Sequence, residues 1–172
     1  MHELEDDAAD AIATIRAAFA GVRRGAITIH EAQAIDDWGG SGEREFARQV
    51  DTEETWGEVP DAAIEECQSA LNHLDDVSWR FYVPAYMTWS LRHFRHSDAV
   101  VSDFTIYTFD LSDDEEVRRA QLARYATLSA EQARAVGRFL RLMARNGDRA
   151  DDVVATDALN KHWGRFCAEA SQ

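Results

Sequence analysis

The sequence is poor in residues that break or staple a fold. It has 2 prolines, 2 cysteines and 9 glycines in 172 residues, and Lys161 is its only lysine. Scarce proline leaves long stretches free to be helical, because proline ends helices more strongly than any other residue. Cys67 and Cys167 stand alone, with no C-x-x-C or Cys/His ligand spacing, which excludes a disulfide framework. They read as small buried hydrophobes of a reducing compartment, and the cytoplasm is the expected location. No window approaches the roughly 18 apolar residues in a row that a membrane helix needs. The start Met1-His2-Glu3-Leu4-Glu5 also lacks the basic and apolar regions of a signal peptide. Positive charge is scarce too: 18 Lys and Arg face 32 Asp and Glu, for a net charge of −14. Phosphate backbones and anionic membranes attract clustered positive charge, so neither nucleic acid nor a membrane is the expected partner.

Apolar surface, by contrast, is plentiful. Hydrophobic residues make up 45% of the chain and aromatics 10%, enough to offset chain entropy in one packed domain spanning residues 1–172. Thr28-x-x-Glu31, Ser112-x-x-Glu115 and Ser129-x-x-Gln132 have the spacing of capping boxes that start helices. Pro60 suits a first helical turn. Ile12, Ile15, Phe19 and Val22 form one helical stripe, and Ile64, Cys67, Leu71 and Leu74 another. Ala155, Leu159, Trp163, Phe166 and Cys167 form a third. After Ser129, Val136, Phe139, Leu140 and Met143 oppose a row of Arg134, Arg138, Arg141 and Arg145, ending at Asn146-Gly147. This arginine row is expected to pair with acidic helices of the same chain; gripping an acidic partner or phosphate is the alternative.

Gly39 to Gly57 reads as loop, with a short helical turn at Arg44 to Arg48. Residues 100–109 are rich in β-branched and aromatic side chains, which predicts a short helix or one extended segment pinned to the core. Between Trp79 and Phe94, apolar residues fall all round a helical wheel, as in a central buried helix that Pro84 opens or kinks. The expectation is therefore a mostly α fold, a single domain of about six or seven helices around an aromatic-rich helix.

That helix carries the run Phe81-Tyr82-Val83-Pro84-Ala85-Tyr86-Met87-x-Trp89 after Leu74-Asp75. Asp51-Thr52-Glu53-x-x-Trp56 precedes it and Thr105-Ile106-Tyr107 follows. In this order the motifs resemble an uncharacterised family of small bacterial cytoplasmic proteins, a domain of unknown function. The resemblance runs from Ile12 to Phe139. Val83 stands where leucine is more usual, and Val77-Ser78 replaces a proline-containing turn. It implies a fold but no activity, cofactor or catalytic residue.

The remaining constellations are weak. His93 and His96 fall three apart near the end of the central helix, but Arg92 and Arg95 beside them oppose a cation, so no metal is expected. No G-x-S-x-G or P-loop is present, and no cofactor is expected. Asp51, Glu53 and Glu54, with Asp36 and Asp37 upstream, form an acidic group expected to be solvated. Residues 1–60 hold 14 acidic but only 5 basic side chains. Such a face suits capture of a basic protein, as in an immunity or antitoxin-like module, with Asp36, Asp37, Asp51, Glu53 and Glu54 as contacts. The alternative is a small enzyme or small-molecule binder whose pocket joins Asp51 and Glu53 to Trp56, Tyr82, Tyr86 and Trp89.

Overall fold

The computed structural model describes residues 2–146 and 151–167. Among them are nine α-helices, three short 3-10 turns and no strand. The helices are α1 (His2–Ala18), α2 (Ile29–Asp36), α3 (Ser41–Arg48), α4 (Asp61–Glu66), α5 (Asp76–His93), α6 (Val101–Tyr107), α7 (Glu115–Tyr125), α8 (Ala130–Ala144) and α9 (Asp152–Lys161). The 3-10 turns are Trp56–Glu58, Ala70–His73 and Trp163–Phe166. The fold is mostly α, as the periodicity predicts. The helix count exceeds six or seven because α2, α3, α4 and α6 are only 6–8 residues long. Over two turns a stripe cannot be told from a loop.

Helix α5 is the axis. Asp75 caps it, its carboxylate accepting the N–H groups of Val77 and Ser78. Trp79, Phe81, Tyr82, Val83, Tyr86, Met87 and Trp89 are all fully buried, so the middle of this helix, residues 81–91, has no solvent face. Pro84 neither opens nor ends it but sits inside it. The core around α5 encloses it on all sides, which offsets the hydrogen bond a mid-helix proline forfeits.

Indole and phenol groups buried in this core, that of Trp89 apart, find backbone or side-chain partners. Trp79 donates to Thr108 Oγ1 at 2.9 Å, Trp163 to the Phe109 carbonyl at 2.9 Å, and Tyr125 to the Thr108 carbonyl at 2.9 Å. Their rings meet Phe109 and one another, with centroids 5.8 Å apart for Trp79–Phe109 and 4.7 Å for Tyr125–Trp163. This aromatic cluster locks α6, α7 and the C-terminal turn onto α5.

Residues 100–109 hold helix α6, and the extended alternative is overturned. Val101, Thr105 and Ile106 all face the core, and the Thr105 hydroxyl donates to the Val101 carbonyl at 2.7 Å. With no neighbouring strand to pair with, a helix is the conformation that satisfies this backbone internally.

The start signals are met unevenly. Ser129 forms a full capping box with Gln132, and Thr28 caps α2. Asp114, rather than Ser112, caps α7, because its carboxylate accepts two N–H groups, those of Glu116 and Val117. Pro60 stands at the cap position of α4 rather than inside its first turn. Gly147, expected to end α8, lies outside the described residues.

Candidate functional site

The segment from Val50 to Glu54 crosses the start of α2 with its side chains alternating. Asp51 and Glu53 point inward, 6% and 9% exposed, while Thr52 and Glu54 point out. The expectation of a solvated acidic loop is therefore corrected at Asp51 and Glu53, which are not surface contacts. Period-two alternation is what an extended chain imposes, so the two acids of Asp-Thr-Glu share one fate. Arg24 fixes the segment from below, donating to the carbonyls of both Asp51 and Glu53 at 2.9 Å.

The Asp51 carboxylate closes on α2. It accepts the His30 N–H at 3.0 Å and meets His30 Nδ1 at 2.6 Å. Its hydrogen bond, and then that of the Cys67 sulfur, push the imidazole up to about 11, so His30 is a cation at neutral pH. Burial alone would raise the Asp51 carboxyl; the bonds from His30 and Thr28 outweigh it and hold the group below its usual range. His30 Nε2 lies 3.6 Å from Glu66, and Cys67, which also interacts with the imidazole, is fully buried. Burial pushes this thiol up by more than His30 draws it down.

Thiol, imidazole and carboxylate thus lie in the order of a nucleophile, its base and an orienting acid. Burial raises the thiol, the Asp51 carboxylate already holds the imidazole, and no face of Cys67 meets solvent.

Glu53 is engaged just as fully. The Tyr82 hydroxyl donates to its Oε1 at 2.5 Å, and burial, reinforced by this carboxylate, pushes that phenol far up. Tyr86 turns away, donating to the Cys67 carbonyl at 2.6 Å. Trp56 donates to the Phe19 carbonyl at 3.0 Å. Trp89 is wholly buried and stacks on His93, centroids 4.9 Å apart. Trp56, Tyr82, Tyr86 and Trp89, expected as pocket walls, are core side chains whose polar tips, Trp89 apart, point to partners inside the protein, and Trp56 also edges neighbouring clefts, of about 210 and 530 Å³. An open cleft of about 460 Å³ does lie over His30 and Asp51, but Val50, Thr52, Glu54, Glu58 and Pro60 line it instead.

Asp36 and Asp37 end α2. Asp36 is half-buried and accepts from the Ser69 hydroxyl at 2.8 Å, with His73 Nε2 at 3.0 Å; Asp37 is exposed. His93 and His96 do not share a helix, since α5 stops at His93 and Phe94 caps it. His93 Nε2 instead meets Asp61 at 2.9 Å. Among the described residues no three His, Cys, Asp or Glu side chains converge as a metal site.

The surface beside this segment is the one unforeseen from sequence. Helix α3 buries no residue. Its Arg48 grips the buried Glu31 of α2 with two bonds, at 2.8 and 2.7 Å, and Arg44 adds a contact at 3.5 Å. Arg44 and Arg48 are one turn apart on the inner face, so Phe46, between them in sequence, faces outward. Phe46 is 73% exposed, Val50 51% and Trp38 94%. Trp38 also has φ 60°, the left-handed region that a bulky side chain enters at a cost. Asp37, Glu43, Glu45 and Glu54 stand exposed around them.

What fold and site define is a small, mostly helical protein whose Asp51 and Glu53 are held inside, beneath an aromatic and acidic edge. The chain belongs to a family of unknown function, DUF6714, whose model matches residues 7–166. No curated protein and no solved structure matches it. No helix among the described residues is long and apolar enough to cross a membrane.

Proposed function

We propose that this protein is a protein-binding module that captures a basic protein through the α2–α3 edge. Trp38 carries the reading. A left-handed backbone costs a non-glycine residue roughly 1–2 kcal/mol, and an indole 94% exposed returns nothing to the core. Glycine would serve the turn better. Strain without a folding benefit is characteristic of residues that act on something outside the chain. Phe46 and Val50 extend the apolar patch, and aromatic anchors within a polar rim are where binding energy concentrates. The exposed acids around them steer and select a cationic surface. The concrete form is an immunity or antitoxin-like protein of the bacterial cytoplasm that occludes a basic effector. A small-molecule site over His30 and Asp51 is the weaker reading, because the groups that would do chemistry there are already engaged.

The test is capture from native lysate at low and high salt, using wild type, Trp38→Ala, and an Asp36→Lys, Asp37→Lys, Glu54→Lys variant. Glu53 is left intact because Tyr82 depends on it. A basic protein should be held by the wild type at low salt, released at high salt, and lost with both variants. A partner indifferent to salt and to both variants would refute the reading.

A further inference from the structure

A second surface, which shares no lining residue with the α2–α3 edge, is rich in positive charge. It is an open groove of about 740 Å³ between α1, α8 and the C-terminal turn, within the roughly 300–1,000 Å³ typical of small-molecule sites. Arg134, Arg138 and Arg141 of α8 line it, with Glu131 as the one carboxylate among its lining residues. Spacings of four and three residues set the arginines on one face, with successive Cβ atoms roughly 5–6 Å apart. Phe166, Ala17 and Ala18 supply apolar wall.

The arginines were expected to pair with acidic helices, and two of the three do meet a carboxylate, each at an exposed position. Arg134 meets Glu131 of its own helix at 3.1 Å. Arg138 donates to the Thr14 hydroxyl at 3.0 Å and only approaches the exposed Asp10, at 3.7 Å. Arg141 donates to the Cys167 carbonyl at 2.9 Å, a contact that leaves its charge unbalanced. A guanidinium has five N–H donors, so most of the donors here face the groove or solvent. Three guanidinia meet two exposed carboxylates, Glu131 and Asp10, which leaves the groove net positive in a chain that is otherwise strongly negative.

We propose that this groove binds a small organic phosphomonoester, its phosphate spanning the α8 arginines and its apolar body lying against Phe166, Ala17 and Ala18. A phosphomonoester carries about −1.5 to −2 charges near neutral pH and several acceptor oxygens, which matches the groove's excess. Arginine presents paired donors suited to that group. The site is independent of the α2–α3 edge and of the function proposed for it.

Phenyl phosphate is the probe, titrated against the full chain by calorimetry and amide chemical shifts at physiological salt, where screening limits repulsion from distant acids to about 8 Å. Saturable one-to-one binding is expected, with shifts centred on Thr14, Ala17 and Phe166. Inorganic phosphate should bind at least about tenfold more weakly, for want of the apolar contacts. Arg134→Gln with Arg141→Gln should weaken phenyl phosphate by about tenfold or more, while Glu131→Gln should tighten it. Circular dichroism confirms that both variants fold. Equal affinity in all three proteins, equal affinity for inorganic phosphate, or shifts centred elsewhere would overturn the proposal.

Discussion

Replacing Asp51 by Asn tests whether the His30–Asp51 pair is a charged pair that holds the Asp-Thr-Glu segment to α2. The substitution keeps the shape and removes the charge. It leaves a histidine whose side chain is only 15% exposed facing a neutral amide, and breaking such a pair typically costs about 3–5 kcal/mol. The pH dependence gives the sharper signature. His30 rises from 6.5 to about 11 on folding, so its contribution is complete below pH 6.5 and is lost as pH climbs towards the folded value. Asp51 is lowered from 3.8, so its contribution is complete above that and is lost as pH falls through the folded value. The pair is therefore strongest between these limits. Above pH 6.5 a single linked proton changes stability by at most about 1.4 kcal/mol per pH unit. Urea unfolding of wild type and Asp51→Asn at pH 6, 7.5 and 9 isolates this, since the other titrating groups cancel in the difference. The gap between them should narrow by about 2–3 kcal/mol from pH 6 to 9. A gap that stays constant, or is below about 1 kcal/mol at pH 6, would mean that His30 is not held as a cation.

Tyr86→Ala empties a fully buried site and strands the Cys67 carbonyl; chemical denaturation should show a loss of about 3–5 kcal/mol. Trp38→Gly relieves a left-handed φ without opening a cavity, so it should leave stability unchanged or raise it by up to about 1 kcal/mol while removing capture of the basic partner. Arg48→Ala cuts both bonds to Glu31 in a helix that buries nothing; hydrogen exchange should then become fast along α3 and stay slow in α5. Gly25→Ala would set a methyl 2.2 Å from Ser78 Oγ and 2.6 Å from the Ser78 amide nitrogen, at the cap of α5, and the variant should unfold at markedly lower urea.

The sequence by itself determined the class of the fold, its central helix and its long amphipathic helices. Periodicity sustained over α5 and α8 leaves few alternatives, since a helix apolar on every side must be buried and one with an arginine row must turn that row outward. The expected membership of a family of unknown function also agrees with the family model that matches residues 7–166. Tertiary structure decided everything that depends on residues distant in the chain. Asp51 and Glu53 look like any acidic loop until Arg24, His30 and Tyr82, 21 to 29 positions away, close over them. Residues 100–109 read equally as strand or helix, because β-branched propensity is a weak preference that the absence of a partner strand overrides. No local pattern marks Glu31 as buried, Cys67 as the neighbour of His30, or Trp38 as exposed. Burial is a property of what packs against a residue, and for side chains on short helices and loops that is set only when the whole core assembles.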